Sequence, residues 1–106
     1  MIKYEIWQAP INCPWKYMHY DWIKGDKPNV KGYVMVYSGL INTYYQSEKL
    51  NSILEDIFER HNIDYPSDYH AAPLSVSDVI CLMTDYNKRE WYYVDGNGFV
   101  KLNNWE

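Results

Sequence analysis

Leu50, Ile53, Leu54, Ile57 and Phe58 recur at i, i+3, i+4, i+7 and i+8, the spacing that gathers apolar side chains into one stripe along an α-helix. A helix of this length owes its stability to the surface that covers such a stripe. The rest of the chain offers strands for that purpose. Ile2, Tyr4 and Ile6 alternate with Lys3 and Glu5, the period-two pattern of a half-buried strand. Tyr33 to Tyr37 is a β-branched and aromatic run that ends near Gly39. Val79 to Met83 is continuously apolar, as expected of a central strand buried on both faces. Trp91–Val94 and Phe99–Leu102 flank Asp95-Gly96-Asn97-Gly98, the strongest hairpin signal in the chain.

The boundaries follow from local chemistry. Ser47 is a suitable N-cap for the long helix. Asn62 is expected to end it in the left-handed conformation, with Ile63 folding back on the last turn and Pro66 preventing continuation. Glu55, Asp56 and Glu59 lie off the apolar stripe and face solvent, and Asp56 and Arg60 form an i, i+4 pair. Pro10 and Pro14 bracket a loop, after which Trp15, Met18 and Trp22 fall at helical spacing with Gly25 as a stop. The expected architecture is α+β: a mostly antiparallel sheet of about five strands, one long helix packed on a face and one short helix, in the order β-α-β-α-β-β-β. The 106 residues form a single domain, without repeats, linkers or low-complexity segments.

The chain is mildly acidic, with a formal charge of −4, and the charge is unevenly placed. Residues 1–45 carry five lysines against Glu5, Asp21 and Asp26; residues 46–86 carry Lys49 and Arg60 against eight acids. That balance argues against a general duplex-DNA binder, whose footprint is basic. Twelve Tyr and five Trp stand against two Phe, a bias suited to half-buried surfaces and interfaces, where a large apolar face keeps one polar atom. Cys13 and Cys81 belong to no dense cysteine framework, the N-terminal residues lack a signal-like pattern, and no window of about eighteen apolar residues exists to span a membrane. A cytoplasmic location with both thiols reduced is the expectation.

Several segments together resemble one family. In the first half these are Tyr20-Asp21, Tyr33, Val36-Tyr37 and Gly39-Leu40; in the second, Leu54-Glu55-Asp56-Ile57-Phe58, Asn62, Pro66, the run from Leu74 to Val79, and Tyr93-Val94-Asp95 before Gly98-Phe99. This order is similar to the YodL-like domain, a small module of Gram-positive bacteria and their mobile elements. The chain departs from the pattern at Ala71-Ala72-Pro73, where a glycine is expected before the Ser-rich turn. The resemblance brings no catalytic residues. It implies a neighbourhood of conjugation and antirestriction proteins, and so a setting of defence and counter-defence.

The residues themselves carry no catalytic motif. Ser75, Ser77 and Asp78 concentrate hydroxyls and a carboxylate, yet no His or Lys base is near in sequence, and such residues organise a turn by bonding nearby amides. The three histidines and two cysteines show no metal-ligand spacing, so no metal or cofactor is expected. Cys81, between Ile80 and Leu82, reads as a small core hydrophobe. His61 sits at a helix C-terminus, where the dipole favours its protonated form. Asp64 and Asp68 flank Pro66 in a solvated loop and do not make a glycosidase-type pair. From Trp15 to Tyr33, Lys16, Lys24, Lys27 and Lys31 interleave with Trp15, Tyr17, Tyr20, Trp22 and Tyr33. Three readings stay open for this stretch: core, a protein-binding hot spot, or stacking and phosphate contact with single-stranded nucleic acid.

The expected function is therefore non-enzymatic: a small binding or inhibitor protein of phage or mobile-element origin. Its partner would be a larger protein, in the sharpest version a nucleic-acid-binding host defence nuclease blocked in the manner of an anti-CRISPR inhibitor. The partner-binding residues on this reading are Glu55, Asp56 and Glu59 on the helix, with Trp15, Tyr17, Tyr20 and Trp22. The alternative is an accessory domain for conjugation or single-strand handling that uses the Trp15–Tyr33 patch.

Overall fold

The computed structural model describes residues 2–23, 28–42, 46–84, 88–103 and 105. Among them are five strands, β1 (Ile2–Gln8), β2 (Val34–Ile41), β3 (Val79–Met83), β4 (Arg89–Asp95) and β5 (Gly98–Leu102), and one α-helix, α1 (Leu50–Asn62). They form a single antiparallel sheet in the order β2-β1-β3-β4-β5. The expected α+β class and antiparallel sheet are what the chain adopts. β2 and β5 are its edges, and β1 and β3 meet in register from Lys3↔Met83 to Trp7↔Val79. The β4–β5 hairpin closes on Asp95↔Gly98, which leaves Gly96 and Asn97 as the two-residue loop.

The helix stripe is covered as its spacing requires. Ile53, Leu54 and Ile57 are buried against Ile2, Tyr4, Ile6, Ile80, Leu82, Tyr92 and Val94, with Leu50 and Phe58 half-buried beside them. Alternate residues of the same strands point to the other face. There Val79, Cys81, Trp91, Tyr93 and Leu102 form a second core with Ala9, Ile23, Tyr33 and Trp105. Because both faces are covered, β3 is apolar at every position, and Trp91 to Val94 are all buried.

The cover on the second face is the segment between β1 and β2, and here the sequence-based expectation fails. Trp15, Met18 and Trp22 do not share an α-helix; among the described residues of this segment the helical piece is a three-residue 3-10 turn, Tyr20–Trp22, and Gly25 lies outside the described residues. From Pro10 to Ile23 the segment runs in successive turns, several of whose polar groups are bonded across the fold. Lys16 Nζ donates to the Ala9 carbonyl at 2.8 Å, the Tyr17 amide to Ser77 Oγ at 3.0 Å, and Tyr93 Oη to the Met18 carbonyl at 2.5 Å. Tyr17 has a φ of 67°, which no α-helix accommodates. The apolar spacing is real, but it serves packing of an irregular coat.

The helix termini also differ. Ser47–Lys49 forms a 3-10 turn and α1 begins at Leu50, with Lys49 at the N-cap and no side-chain cap. At the other end Ile63 caps the helix in right-handed geometry and is exposed; Asn62 instead uses its amide to donate to the Leu74 carbonyl at 2.6 Å. That tether, with the Leu74 amide bonded to the His61 carbonyl, ends the helix in place of a left-handed residue.

Candidate functional site

On α1, Glu55, Asp56 and Glu59 are exposed on the side away from the core. None forms an ion pair among the described residues; Glu55 accepts only a long contact of 3.5 Å from Asn51 Nδ2. Arg60 does not pair with Asp56. Its Nη1 reaches across to β2 and donates to the Leu40 carbonyl at 3.3 Å.

The aromatic stretch divides. Tyr17 and Trp22 are exposed, at 59% and 66%. Trp15 and Tyr20 turn toward the second core: Trp15 Nε1 donates to Tyr33 Oη at 2.9 Å, and the Tyr20 ring meets Tyr93 edge-on at 5.3 Å. Tyr33 is buried and donates to the Ser77 carbonyl at 2.7 Å, and burial raises its hydroxyl pKa. Lys16 lies 5.0 Å from the Tyr17 ring centroid. Lys31 is exposed, and Lys24 and Lys27 lie outside the described residues.

The acids and the aromatics approach one another at the β4–β5 turn, from opposite faces of the sheet. On the helix side, Glu55 and Phe58 line a cleft of about 200 Å³ with Asp95, Gly96 and Phe99. On the other side, His19 packs on Gly96 so closely that a Cβ there would lie 2.0 Å from His19 Cε1. His19 Nδ1 is 3.2 Å from Asp95 Oδ1, and its ring contacts Trp22 edge-on at 4.6 Å. Only a glycine admits this contact, so the hairpin loop binds the coat segment to the same corner of the molecule that carries Glu55.

A second constellation lies at the C-terminal end of α1. His61 is fully buried, shares a 2.6 Å hydrogen bond with Tyr4 Oη through Nε2, and is ringed by Tyr37 and Tyr69 at 4.8 and 4.4 Å. Its Nδ1 has no partner among the described residues. Burial, with the Arg60 charge adding to it, pushes the imidazole pKa down to about 4. The expectation that the helix dipole protonates His61 is therefore overturned, because desolvation outweighs a dipole effect of about 1 kcal/mol. Burial pushes Tyr37 and Tyr69 up to about 12, and raises Tyr4 against the opposing pull of Arg60. In front of this cluster Tyr4, Tyr37, Leu40, Arg60, Asp64 and Tyr65 line an open cleft of about 350 Å³. Tyr37 Oη donates to Asp68 at 2.9 Å, which draws that loop acid onto the cluster. Sequence reasoning missed this assembly because its members come from β1, β2, α1 and the following loop; the one available signal was a histidine on the buried side of the helix.

Ser77 and Asp78 are buried and structural. Ser77 holds a φ of 86°, a conformation costing on the order of 1 kcal/mol or more for a non-glycine residue. It is fixed by the Tyr17 amide on its Oγ, the Tyr33 hydroxyl on its carbonyl, and its own amide on the Val94 carbonyl. Asp78 Oδ2 accepts from the Ser75 amide at 2.9 Å and from Gln8 Nε2 at 3.2 Å, closing the turn into β3. Burial raises its carboxyl pKa to about 6. Cys81 is fully buried, with Arg89 Nη1 3.9 Å from its sulfur, and Arg89 itself pairs with Glu5 at 2.8 Å. Among the described residues no group of three or more His, Cys, Asp or Glu is placed to hold a metal, and no helix is long and apolar enough to cross a membrane.

Comparison with known proteins agrees with the segment order. The family model described as the YodL-like domain matches residues 3–105. No curated protein and no solved structure matches the chain.

Proposed function

The chain belongs to the YodL-like domain family, and from that premise we propose that it is a non-enzymatic binding protein that acts by occupying a surface of a larger partner. In its sharpest form the partner is a nucleic-acid-binding host defence nuclease, and the protein is a counter-defence inhibitor of the anti-CRISPR type, carried by a phage or mobile element. The observation that carries the reading is the exposed acidic face of α1. Glu55, Asp56 and Glu59 are held on a rigid helix and are not consumed by internal ion pairs, so their charge is presented outward. Exposed Trp22 lies around the β4–β5 corner from Glu55 and supplies an aromatic anchor of the kind that dominates interface energetics.

Magnitudes favour occlusion over duplex mimicry. Duplex DNA as long as the 36 Å longest dimension of the protein carries about twenty phosphate charges. The chain sets eight acids and two basic residues in all of residues 46–86. Acidic contacts thus steer and orient, while bulk and aromatic contact exclude the nucleic acid. The single-strand alternative loses support, since Trp15 and Tyr20 are half-buried against the second core and Tyr17 and Trp22 remain as exposed aromatics of that set.

The test is a protection assay against a panel of RNA-guided nucleases from Gram-positive hosts. The triple change Glu55→Lys, Asp56→Lys and Glu59→Lys should weaken inhibition at least tenfold while leaving the circular dichroism spectrum unchanged, and wild-type inhibition should fall as salt rises. Should Trp22→Ala abolish inhibition while the triple change is silent, aromatic blocking rather than charge is the mechanism. If neither variant alters it, both surfaces are wrong, and a wild-type protein that protects against no member of the panel refutes the counter-defence reading.

A further inference from the structure

β2 is an edge strand, and from Gly32 to Asn42 the chain contains no charged residue and no proline. Edge strands that stay solitary are commonly guarded by lysine, proline or an inward charge, and none of these stands in β2. A bulge between the registers Ile6↔Tyr37 and Trp7↔Met35 twists its first part, but Tyr37 to Ile41 pairs with β1 without interruption. Of the eight large exposed apolar side chains among the described residues, Val34, Met35 and Leu40 lie on this strand, and Tyr65 lines the cleft beside it.

The backbone polarity of the edge is fixed by one contact. The Leu40 carbonyl accepts from Arg60 and so faces away from β1. In an antiparallel strand the amide and carbonyl of one residue point the same way, and the direction alternates along the chain. Ser38 and Leu40 therefore present their donors and acceptors outward, while Tyr37, Gly39 and Ile41 pair inward with Ile6, Tyr4 and Ile2.

We propose that this edge pairs with the same edge of a second copy, across a two-fold axis at Gly39, to form a continuous antiparallel sheet. In that register Ser38 exchanges both hydrogen bonds with Leu40 of the other copy, and Leu40 with its Ser38. Tyr37 lies opposite Ile41, an aromatic–aliphatic cross-strand pair. Gly39 faces Gly39 with no side chain to collide; a Cβ there would already sit 2.7 Å from Tyr4 Oη. A two-fold contact sets every residue near its own duplicate, so a charged strand would repel itself; β2 carries no charge of its own, and the charge resting on its edge is that of Arg60. Arg60 swings off the Leu40 carbonyl when the second strand takes that acceptor. The axis runs perpendicular to the sheet, so both α1 helices end on one face. The assignment is independent of the acidic-face reading, because it concerns the opposite end of the sheet order from the β4–β5 corner.

Sedimentation of the full chain across a concentration range tests it. Wild type should show a monomer–dimer equilibrium. Ser38→Pro removes an outward amide without touching the pairing to β1 and should weaken the dimer at least tenfold with an unchanged circular dichroism spectrum. In a Cys13→Ser background, the pair Ser38→Cys and Leu40→Cys should give a covalent dimer under mild oxidation, since opposed residues lie within disulfide reach. A chain that stays monomeric to millimolar concentration overturns the proposal. So does a dimer that Ser38→Pro leaves intact and the cysteine pair fails to cross-link, because another surface then makes it.

Discussion

His61 and Asp78 should oppose one another so nearly that acid stability conceals both, and two substitutions separate them. In the folded protein His61 stays neutral down to about pH 4, whereas the unfolded chain takes up its proton near 6.5. Between those values the unfolded state binds more protons, so the His61 contribution is complete above pH 6.5 and is lost as pH falls toward 4, by about 3 kcal/mol. Asp78 works in the other direction. Its buried carboxyl takes a proton at about 6, while the unfolded chain waits until 3.8. Over that range the folded state binds more protons, and stability rises on acidification, again by about 3 kcal/mol. Asp78→Asn keeps an oxygen for the Ser75 amide and removes the compensating slope; relative to wild type it should lose about 3 kcal/mol between pH 6 and pH 4. His61→Phe fills the space among Tyr4, Tyr37 and Tyr69 and should gain a similar amount over the same range, measured against its own value at pH 7. Urea denaturation followed by circular dichroism at pH 7, 6, 5 and 4 reads both differences, and the other carboxylates cancel in the comparison. Difference curves that are flat for both variants would refute the claim that either group is held away from its ordinary ionisation.

Two further outcomes follow from the packing. Leu54→Ala, at a position 1% exposed between α1 and the sheet, should cost about 2–5 kcal/mol in the same denaturation experiment; a cost under 1 kcal/mol would mean that the helix is not docked as described. Cys13 lines an open cleft of about 270 Å³ beside Pro10, Trp15 and Tyr33, whereas Cys81 is sealed inside the second core. Mass spectrometry after brief iodoacetamide treatment should find Cys13 modified and Cys81 modified only in denaturant, and equal labelling of the two would contradict the burial of β3.

The parts of this fold that were legible in the sequence are those in which one residue's neighbours decide its state. The α1 stripe and the Val79–Met83 run needed only periodicity and length, and Asp95-Gly96-Asn97-Gly98 encodes its own turn. Trp15, Met18 and Trp22 misled because an apolar spacing of three and four suits any segment that lies over a sheet, and the decisive contacts, Tyr17 to Ser77 and Tyr93 to Met18, come from far along the chain. The same distance hid the His61 cluster and the turning inward of Trp15 and Tyr20. The acidic residues of α1 were legible as exposed because the helix period alone places them. The solitary edge was not, since strand order is absent from local pattern: nothing in Tyr33–Tyr37 reveals that β1 lies on only one side of it.

The pairing of β1 with β3 has a consequence for how the chain reaches this state. β3, β4 and β5 join in succession through nearby residues, but the strand beside them comes from the other end of the molecule; the Glu5–Arg89 ion pair spans 84 residues. Closing so long a loop before its contacts repay the lost entropy slows folding. During synthesis, the β1 edge that meets β3 and the part of the α1 stripe that packs on Ile80 and Leu82 stay uncovered until Val79 to Met83 has emerged. Amino-acid changes along that seam should therefore register first in refolding rate and in the yield of protein recovered from cells, ahead of any change in the finished structure.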